Sequence, residues 1–415
     1  MSFINKFLHI NLILHPAFHV KSNMSFVNKF LRVNSILHGN DFMKIKVLPL
    51  VVDVCLPPLL PAASLLAPLA GWALFAAYMI ISSPFVLVGL GFALFACVLA
   101  AVHHAEVIAH KVGEPFGTFL FAVAVTIIEV GLIVSIKLAG GPGTEGLARD
   151  TVMAAIMIIL NGVIGLCLLL GGLRHGEQAY MQTGVSAALA TLAALSIITL
   201  VLPNYVTTLP GPIFAPAQLA FVGTVSLVLY ATFVLVQTIR HREYFLPDET
   251  EPSGAEPTQA PLPSDRLALI SGLFLLVSLV AVVWIAKTLA PTVEGLVAKV
   301  GAPKAVVGVI IAGLVLLPEG IAAVRAARAN RLQTSLNLAL GSALATIGLT
   351  IPVVAGLALI FDWNLALGLN PTNTVLLLLT LLVSTLSLST GRTTVMQGAL
   401  HLVLFAVFLF MLIVP

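Results

Sequence analysis

Apolar runs of about 20 residues recur along most of this chain, and they constrain its fold more than any other feature. Runs of this length cross a bilayer as helices, whereas the strands of a membrane barrel are shorter and alternate between apolar and polar residues. The chain is 59% hydrophobic and only 9% charged, so it lacks the polar surface that a soluble globule of 415 residues needs. The sequence therefore predicts an all-α integral membrane protein.

We expect about eleven transmembrane helices, interrupted by a polar cytoplasmic linker at residues 240–266. The linker contains six acidic residues and five prolines, a composition that does not form a core. Residues 59–239 are predicted to form one extra N-terminal helix and a first five-helix repeat, and residues 267–415 a second repeat. Residues 1–42 contain a duplication, in which 11 of 15 positions agree, and are predicted to lie outside the fold.

Two of the apolar runs carry a lone carboxylate near their middle. Glu129 lies within residues 116–138, and Glu319 lies within residues 303–324. A charged side chain at the bilayer centre costs about 2.5 to 3.5 kcal/mol on insertion scales, so such residues usually mark an ion or proton pathway. The two glutamates are the first candidates for a functional site.

The segments that precede the two acids resemble each other. Residues 104–115 read HAEVIAHKVGEP and residues 292–303 read TVEGLVAKVGAP, with Glu, Lys, Val, Gly and Pro identical. Five spans per half, an odd number, would place the halves in opposite orientation, as in many secondary transporters with a midplane site. We expect two inverted repeats with the acids on oppositely directed helices, while chance similarity is the alternative.

The distribution of Lys and Arg over the loops predicts the orientation. Nine of them fall on one side of the predicted topology and five on the other. Because cytoplasmic loops carry the excess of positive charge, the N-terminus is expected in the cytoplasm and the C-terminus in the periplasm.

Polar residues follow each acid in the next predicted span. In the first half Asn161 lies within an apolar run, and in the second half Ser342 and Thr346 are four residues apart and so share one helix face. Together with two carboxylates they predict an oxygen-rich site for Ca²⁺, or less specifically for Na⁺ or another cation. For Ser342 and Thr346, helix packing through small residues is an equal alternative.

Two further residues are candidates at the same site. Thr126, one turn before Glu129, supplies a hydroxyl oxygen, although such hydroxyls more often bond their own helix. Pro318 directly precedes Glu319 and removes one backbone hydrogen bond, which would free the carbonyl of Leu314. A helix break at Pro318 is therefore expected, with a tolerated kink as the alternative.

Several motifs together identify a family resemblance. They are HAEVIAHKVGEPFGT, DTVMAAIMIILNG, LLPEGIAAVRAARANRLQTSLNLALGSALATIGLTIPV and STGRTTVMQGALHL. In this order they closely resemble bacterial calcium/proton antiporters of the calcium/cation antiporter superfamily. The resemblance implies a multi-pass protein of the bacterial inner membrane in which Glu129 and Glu319 form an alternately exposed cation site. Many superfamily members have a Gly-Asn pair shortly before each acid, and its absence here leaves the choice among Ca²⁺, Na⁺ and K⁺ open.

The predicted function is exchange of cytoplasmic Ca²⁺ for external protons, with Na⁺(K⁺)/H⁺ exchange as the alternative. An empty pair of buried carboxylates favours protonation, so protons and a cation would compete for it. The expected partners are the cation, protons and the bilayer. No cofactor, nucleotide or nucleic acid is expected, and the oligomeric state is left open. A channel and an intramembrane enzyme are the remaining alternatives; the sequence has no His-Glu-x-x-His motif for the latter.

Overall fold

The computed structural model describes residues 60–246 and 263–414, apart from residues 82, 114–115, 140–143, 300, 302 and 304. These residues belong to one compact unit that begins at Pro58. The duplicated segment at residues 1–42 lies outside the described residues, and so does the central part of the polar linker.

Thirteen α-helices make up most of the described chain. The first seven are α1 (Leu60–Ile80), α2 (Pro84–Val112), α3 (Phe116–Ala139), α4 (Leu147–Met157), α5 (Ile164–His175), α6 (Gln182–Ser196) and α7 (Pro216–Leu235). The other six are α8 (Asp265–Lys299), α9 (Ala305–Arg328), α10 (Leu332–Ala345), α11 (Ile351–Ile360), α12 (Pro371–Ser387) and α13 (Val395–Ile413). Two short strands complete the fold, β1 (Gln178–Ala179) and β2 (Arg392–Thr393).

The helices form eleven apolar spans. In the described residues, 10 helical segments are long and apolar enough to cross a membrane, and α12 adds a shorter apolar helix of 17 residues. Two of the spans consist of two α-helices joined by a π-helical turn: α4 and α5 join at Ile158–Val163, and α10 and α11 join at Thr346–Thr350. The prediction of an all-α membrane protein with about eleven helices is confirmed.

The two halves repeat each other in backbone detail. Counting α2 to α7 as the first repeat and α8 to α13 as the second, each repeat has a π-turn in the middle of its third span. The first repeat has two further π-turns, Ile197–Val201 and Val236–Arg240, without a counterpart in the described residues of the second. Gly113 and Gly301 precede the acid-bearing helices α3 and α9 and have φ angles of 76° and 71°. Only glycine adopts such angles readily. The same two glycines match when residues 104–115 are compared with residues 292–303.

Two antiparallel contacts relate the repeats by an approximate two-fold axis. β1, between the third and fourth spans of the first repeat, pairs with β2, between the fourth and fifth spans of the second. Ile213, between the fourth and fifth spans of the first repeat, pairs with Ala366, between the third and fourth of the second. In each repeat, the loop after the third span therefore pairs with the loop after the fourth span of the other repeat, as expected for inverted repeats.

Packing at the centre of the bundle crosses between the repeats. The helix α9 contacts α4 and α5, and correspondingly α3 contacts α10 and the π-turn Thr346–Thr350. The third spans, Thr144–His175 and Leu332–Ile360, are the most buried of the candidate spans. Each acid-bearing helix thus lies against the buried third span of the opposite repeat.

Some predicted boundaries differ from the observed ones. The apolar run that follows the linker predicts a span over residues 267–287, but the helix α8 continues through Pro291 to Lys299. The fold also continues past the predicted start of the linker, because Phe245 is buried and packs against Phe233, with ring centroids 5.8 Å apart. Composition could not show this, since a single aromatic residue inside a polar segment gains its burial from a distant helix.

The contact between α9 and α4 provides a test of this packing. A Cβ atom at Gly308 would lie 2.9 Å from the backbone atoms Asp150 C and Thr151 N, whereas one at Gly313 on the same helix meets nothing within 4 Å. We expect Gly308→Ala to destabilise the protein by about 1 to 3 kcal/mol through overpacking. The midpoint of thermal unfolding in detergent measures the effect, with Gly313→Ala as control, and equal midpoints for the two variants would contradict the observed packing.

Candidate cation-binding site

Glu129 is buried near the middle of α3, with 2% of its surface exposed. The hydroxyl of Thr350 donates a hydrogen bond to Glu129 Oε2 at 2.8 Å, and the Thr346 hydroxyl also interacts with this carboxylate. Glu129 Oε1 accepts no hydrogen bond from the described residues. A buried carboxylate oxygen without a partner is costly, so this atom is available to a cation or a proton.

Glu319 occupies the equivalent place on α9 and is 9% exposed. Its Oε2 atom likewise has no hydrogen-bond partner in the described part of the chain. Each of the two acids that the sequence singles out is therefore buried on a helix that packs against the third span of the opposite repeat.

A cavity of about 370 Å³ leads to Glu319. It follows α10 from Thr334 to Thr346, and its other walls are residues of α3 and α7 together with Phe245. The predicted site residues Thr126, Ser342 and Thr346 all line this cavity. Four of the predicted residues, with Glu319 included, therefore share one space.

The hydroxyl of Thr126 donates to the Ala122 carbonyl one turn earlier, at 2.8 Å. This is the local bond expected of a helical threonine, and it leaves lone pairs of the hydroxyl oxygen for a cation. Thr126 can accordingly contribute only as an acceptor.

Asn161, predicted to join the two acids, has its hydrogen bonds to other residues in the described part of the chain. Its amide nitrogen donates to Thr380 Oγ1 at 2.9 Å and contacts Met157 Sδ, while its Oδ1 accepts from His401 Nδ1 at 3.1 Å. His401 Nε2 in turn hydrogen-bonds with Ser387 Oγ at 2.8 Å. An amide without exposed surface needs such partners, and α12 and α13 supply them because they pack beside the π-turn.

The expected helix break at Pro318 is also not observed. The helix α9 runs without interruption from Ala305 to Arg328 with Pro318 inside it. A proline removes one backbone donor, and the packing of a membrane bundle tolerates that loss without ending the helix. We therefore assign no ligand role to a freed carbonyl.

Thr350 is the site residue that the sequence analysis missed. A signal was present, because Ser342, Thr346 and Thr350 are spaced by four and continue one helix face. The π-turn that contains Thr350 re-aims this face locally, and sequence spacing does not predict π-turns. The corresponding π-turn of the first repeat, Ile158–Val163, contains no hydroxyl residue. The π-turn of the second repeat therefore supplies the hydroxyls of Thr346 and Thr350 to Glu129. The π-turn of the first repeat supplies no hydroxyl to Glu319.

The donor set consists of carboxylate and hydroxyl oxygens. Among the residues that the structure describes, no three His, Cys, Asp or Glu side chains are grouped so as to hold a metal ion. A cation would therefore rely on two carboxylates, neutral oxygens and water, a set suited to a hard cation that is bound and released rather than held permanently.

Comparison with known proteins identifies relatives over most of the chain. The sequence profile of the family described as "Sodium/calcium exchanger protein" matches residues 82–239 and 270–414. The "Putative ionic transporter y4hA" of Sinorhizobium fredii is 54% identical over 77% of this chain and 86% of its own length. The "Sodium-potassium/proton antiporter ChaA" of Escherichia coli is 37% identical over 75% of this chain and 84% of its own.

The fold also matches a solved structure. The crystal structure of the H⁺/Ca²⁺ exchanger CAX covers 85% of this chain and 87% of its own length, with a TM-score of 0.63 at 15% identity. At this level of identity the likeness shows a shared fold.

The hydrogen bond from Thr350 to Glu129 can be removed without changing the shape of the site. Thr350→Val replaces the hydroxyl by a methyl group, whereas Thr350→Ser keeps the donor. Because a hydrogen bond to a charged group contributes about 1.5 to 3 kcal/mol, we expect the valine variant to bind Ca²⁺ or Na⁺ about tenfold more weakly at fixed pH. Isothermal titration of the purified protein measures this, and unchanged affinity in Thr350→Val would exclude a positioning role for Thr350.

The network around Asn161 predicts a loss of stability rather than of cation affinity. Asn161→Ala removes a buried hydrogen bond from His401 Nδ1 and another from Thr380 Oγ1, which keeps only its contact with Met157 Sδ at 3.4 Å, and the loss costs about 1 to 3 kcal/mol. We expect a lower unfolding midpoint with cation affinity retained, and no change for the partly exposed Asn373→Ala on α12. Loss of cation binding at unchanged stability would instead return Asn161 to the site.

Proposed function

The chain belongs to the family of sodium/calcium exchanger proteins, and we propose that it is a secondary antiporter that exchanges a cytoplasmic cation for external protons. Its membrane-spanning fold and its antiporter relatives give the general class. The finer assignment is supported by one observation: each repeat carries a buried carboxylate with an unpaired oxygen atom, Glu129 and Glu319, and Glu319 lines a cavity.

The charge of the two carboxylates suggests how such a site couples the transport of a cation to the transport of protons. Two ionised carboxylates without a counter-charge are strongly disfavoured at low dielectric constant. One Ca²⁺, two monovalent cations or two protons each neutralise Glu129 and Glu319 equally well. If only the neutral site crosses between inward- and outward-facing states, cation and protons must alternate, and a proton gradient drives the cation the other way.

The hydroxyls give the two acids different roles. Thr350 and Thr346 hold the Glu129 carboxylate in a fixed place, while Glu319 faces the cavity without a hydroxyl donor of this kind. We assign Glu319 to first contact with an entering ion, and Glu129 to the inner side of the site. Thr126, Ser342 and Thr346 would then replace part of the hydration shell of the ion.

The position of the cavity suggests which state the structure represents. Its outer end is lined by Gln237, Thr334 and Asn337. This end lies next to the helix ends that carry Arg240 and Arg331. Positive charge favours the cytoplasmic side for this end of the bundle. In the proposed orientation, with the N-terminus in the cytoplasm and the protein in the bacterial inner membrane, the cavity faces inward.

Three cations are candidates for transport. Ca²⁺ is favoured by the paired carboxylates, since hard divalent ions prefer charged oxygen ligands. Na⁺ and K⁺ are favoured by the similarity to the sodium-potassium/proton antiporter and by the small number of acids at the site. Parallel measurement of Ca²⁺, Na⁺ and K⁺ exchange in proteoliposomes with an imposed pH gradient separates them.

The carboxylates provide the decisive test of exchange. Glu129→Gln and Glu319→Gln each remove one charge while preserving shape, so each variant should lose at least 100-fold of proton-driven cation uptake into everted vesicles, a loss of about 3 kcal/mol. Glu177→Gln, an exposed acid beside β1, is the matched control and should transport normally. Full exchange in either site variant would reject the two-glutamate site, and cation flux independent of the gradient would favour a channel.

A further inference from the structure

The cavity is larger than the proposed transported ions require. An ion with a few water molecules needs about 30 Å³ for each water, whereas the cavity measures about 370 Å³. That volume lies in the range of pockets that hold small organic molecules, roughly 300 to 1,000 Å³. The space therefore has room for an organic body next to Glu319.

The walls of the cavity are aromatic on several sides. Phe121 on α3, Tyr230 and Phe233 on α7, and Phe245 after α7 all line it. The rings of Phe233 and Phe245 stand at 89° to each other, so together they form a corner. Aromatic faces of this kind attract the positive charge of organic ammonium ions.

The charge of the cavity selects for a cation. Glu319 lines the space, its Oε2 atom is buried without a hydrogen-bond partner, and no Lys, Arg or His is among the described lining residues. The remaining polar groups, including Gln237 and Asn337, are neutral. An anionic ligand would meet repulsion, and a neutral one would leave the carboxylate without a counter-charge.

We propose that this cavity binds aryl-alkyl ammonium ions, with the charged nitrogen toward Glu319 and the apolar body against Phe121, Phe233 and Phe245, in competition with the transported cation. The proposal rests on the proposed function only in that Glu319 is shared. It adds organic ammonium ions, as a class of ligand, to the small inorganic cations.

Benzyltrimethylammonium is a suitable probe because its charge does not depend on pH. Equilibrium binding to the purified full-length protein should show one site, and Ca²⁺ or Na⁺ should displace the probe. Tetramethylammonium has the charge without the ring, and N,N-dimethylbenzamide has the ring without the charge. We expect both to bind at least about fivefold more weakly than the probe.

Variants connect binding to the aromatic walls. Phe233 and Phe121 lie on different helices, and replacing either by Leu should weaken probe binding about fivefold, the equivalent of one contact between aromatic rings. Phe221→Leu is the matched control, since Phe221 is on the same helix as Phe233 but is 69% exposed and outside the cavity. Glu319→Gln should abolish competition between the probe and the inorganic cation.

The outcomes separate this inference from the proposed function. Proton-driven exchange without any probe binding overturns the inference and leaves the function intact. Saturable probe binding that depends on Phe233 and Glu319 in a protein without exchange supports the inference and rejects the function. Probe binding that is equally strong in Phe221→Leu, Phe233→Leu and Phe121→Leu overturns the aromatic site.

Discussion

Two carboxylates buried in the membrane-spanning bundle are the constraint on which the rest of the structure depends. Glu129 and Glu319 each retain an oxygen without a hydrogen-bond partner, which a folded protein normally avoids. Such an arrangement is sustainable only if a proton or a cation regularly occupies it. The buried third spans, the crossing of α3 and α9 between repeats, and the cavity beside α10 all position these atoms and give ions access to them.

The inverted repeats create the site, but the two halves do not contribute equally. The backbone repeats closely, with matching positive-φ glycines, matching π-turns and matching loop exchanges. The side chains diverge at the π-turns, where the second repeat presents Thr346 and Thr350 and the first presents Asn161. The threonines support Glu129, whereas Asn161 joins His401 and Thr380 in a separate network. The two acids thus have different surroundings although the backbone is repeated. This difference supports the proposal that Glu319 contacts an entering ion first and that Glu129 lies on the inner side of the site.

The aromatic lining gives the same cavity a second chemical character. In the proposed site inorganic cations would interact with the oxygens of the cavity, while Phe233 and Phe245 provide apolar surface. Phe245 belongs to the segment that composition assigns to the linker, yet its carbonyl accepts a 2.6 Å hydrogen bond from Asn337 on α10. The beginning of the linker is therefore part of the cavity wall.

The sequence by itself determined the class of fold, the number of spans, the repeat and the identity of both acids. It could do so because membrane burial imposes long apolar runs, in which a lone carboxylate such as Glu129 or Glu319 stands out. Only the tertiary structure decided that Thr350 bonds Glu129, that Asn161 bonds Thr380 and His401, that α9 continues through Pro318 and that Phe245 is buried. These four features depend on a partner that is distant in the chain or on packing that keeps a helix continuous. Neither kind of contact leaves a periodic signal in the sequence. Helical spacing shows which residues share a face, and the packing of other helices decides what that face meets.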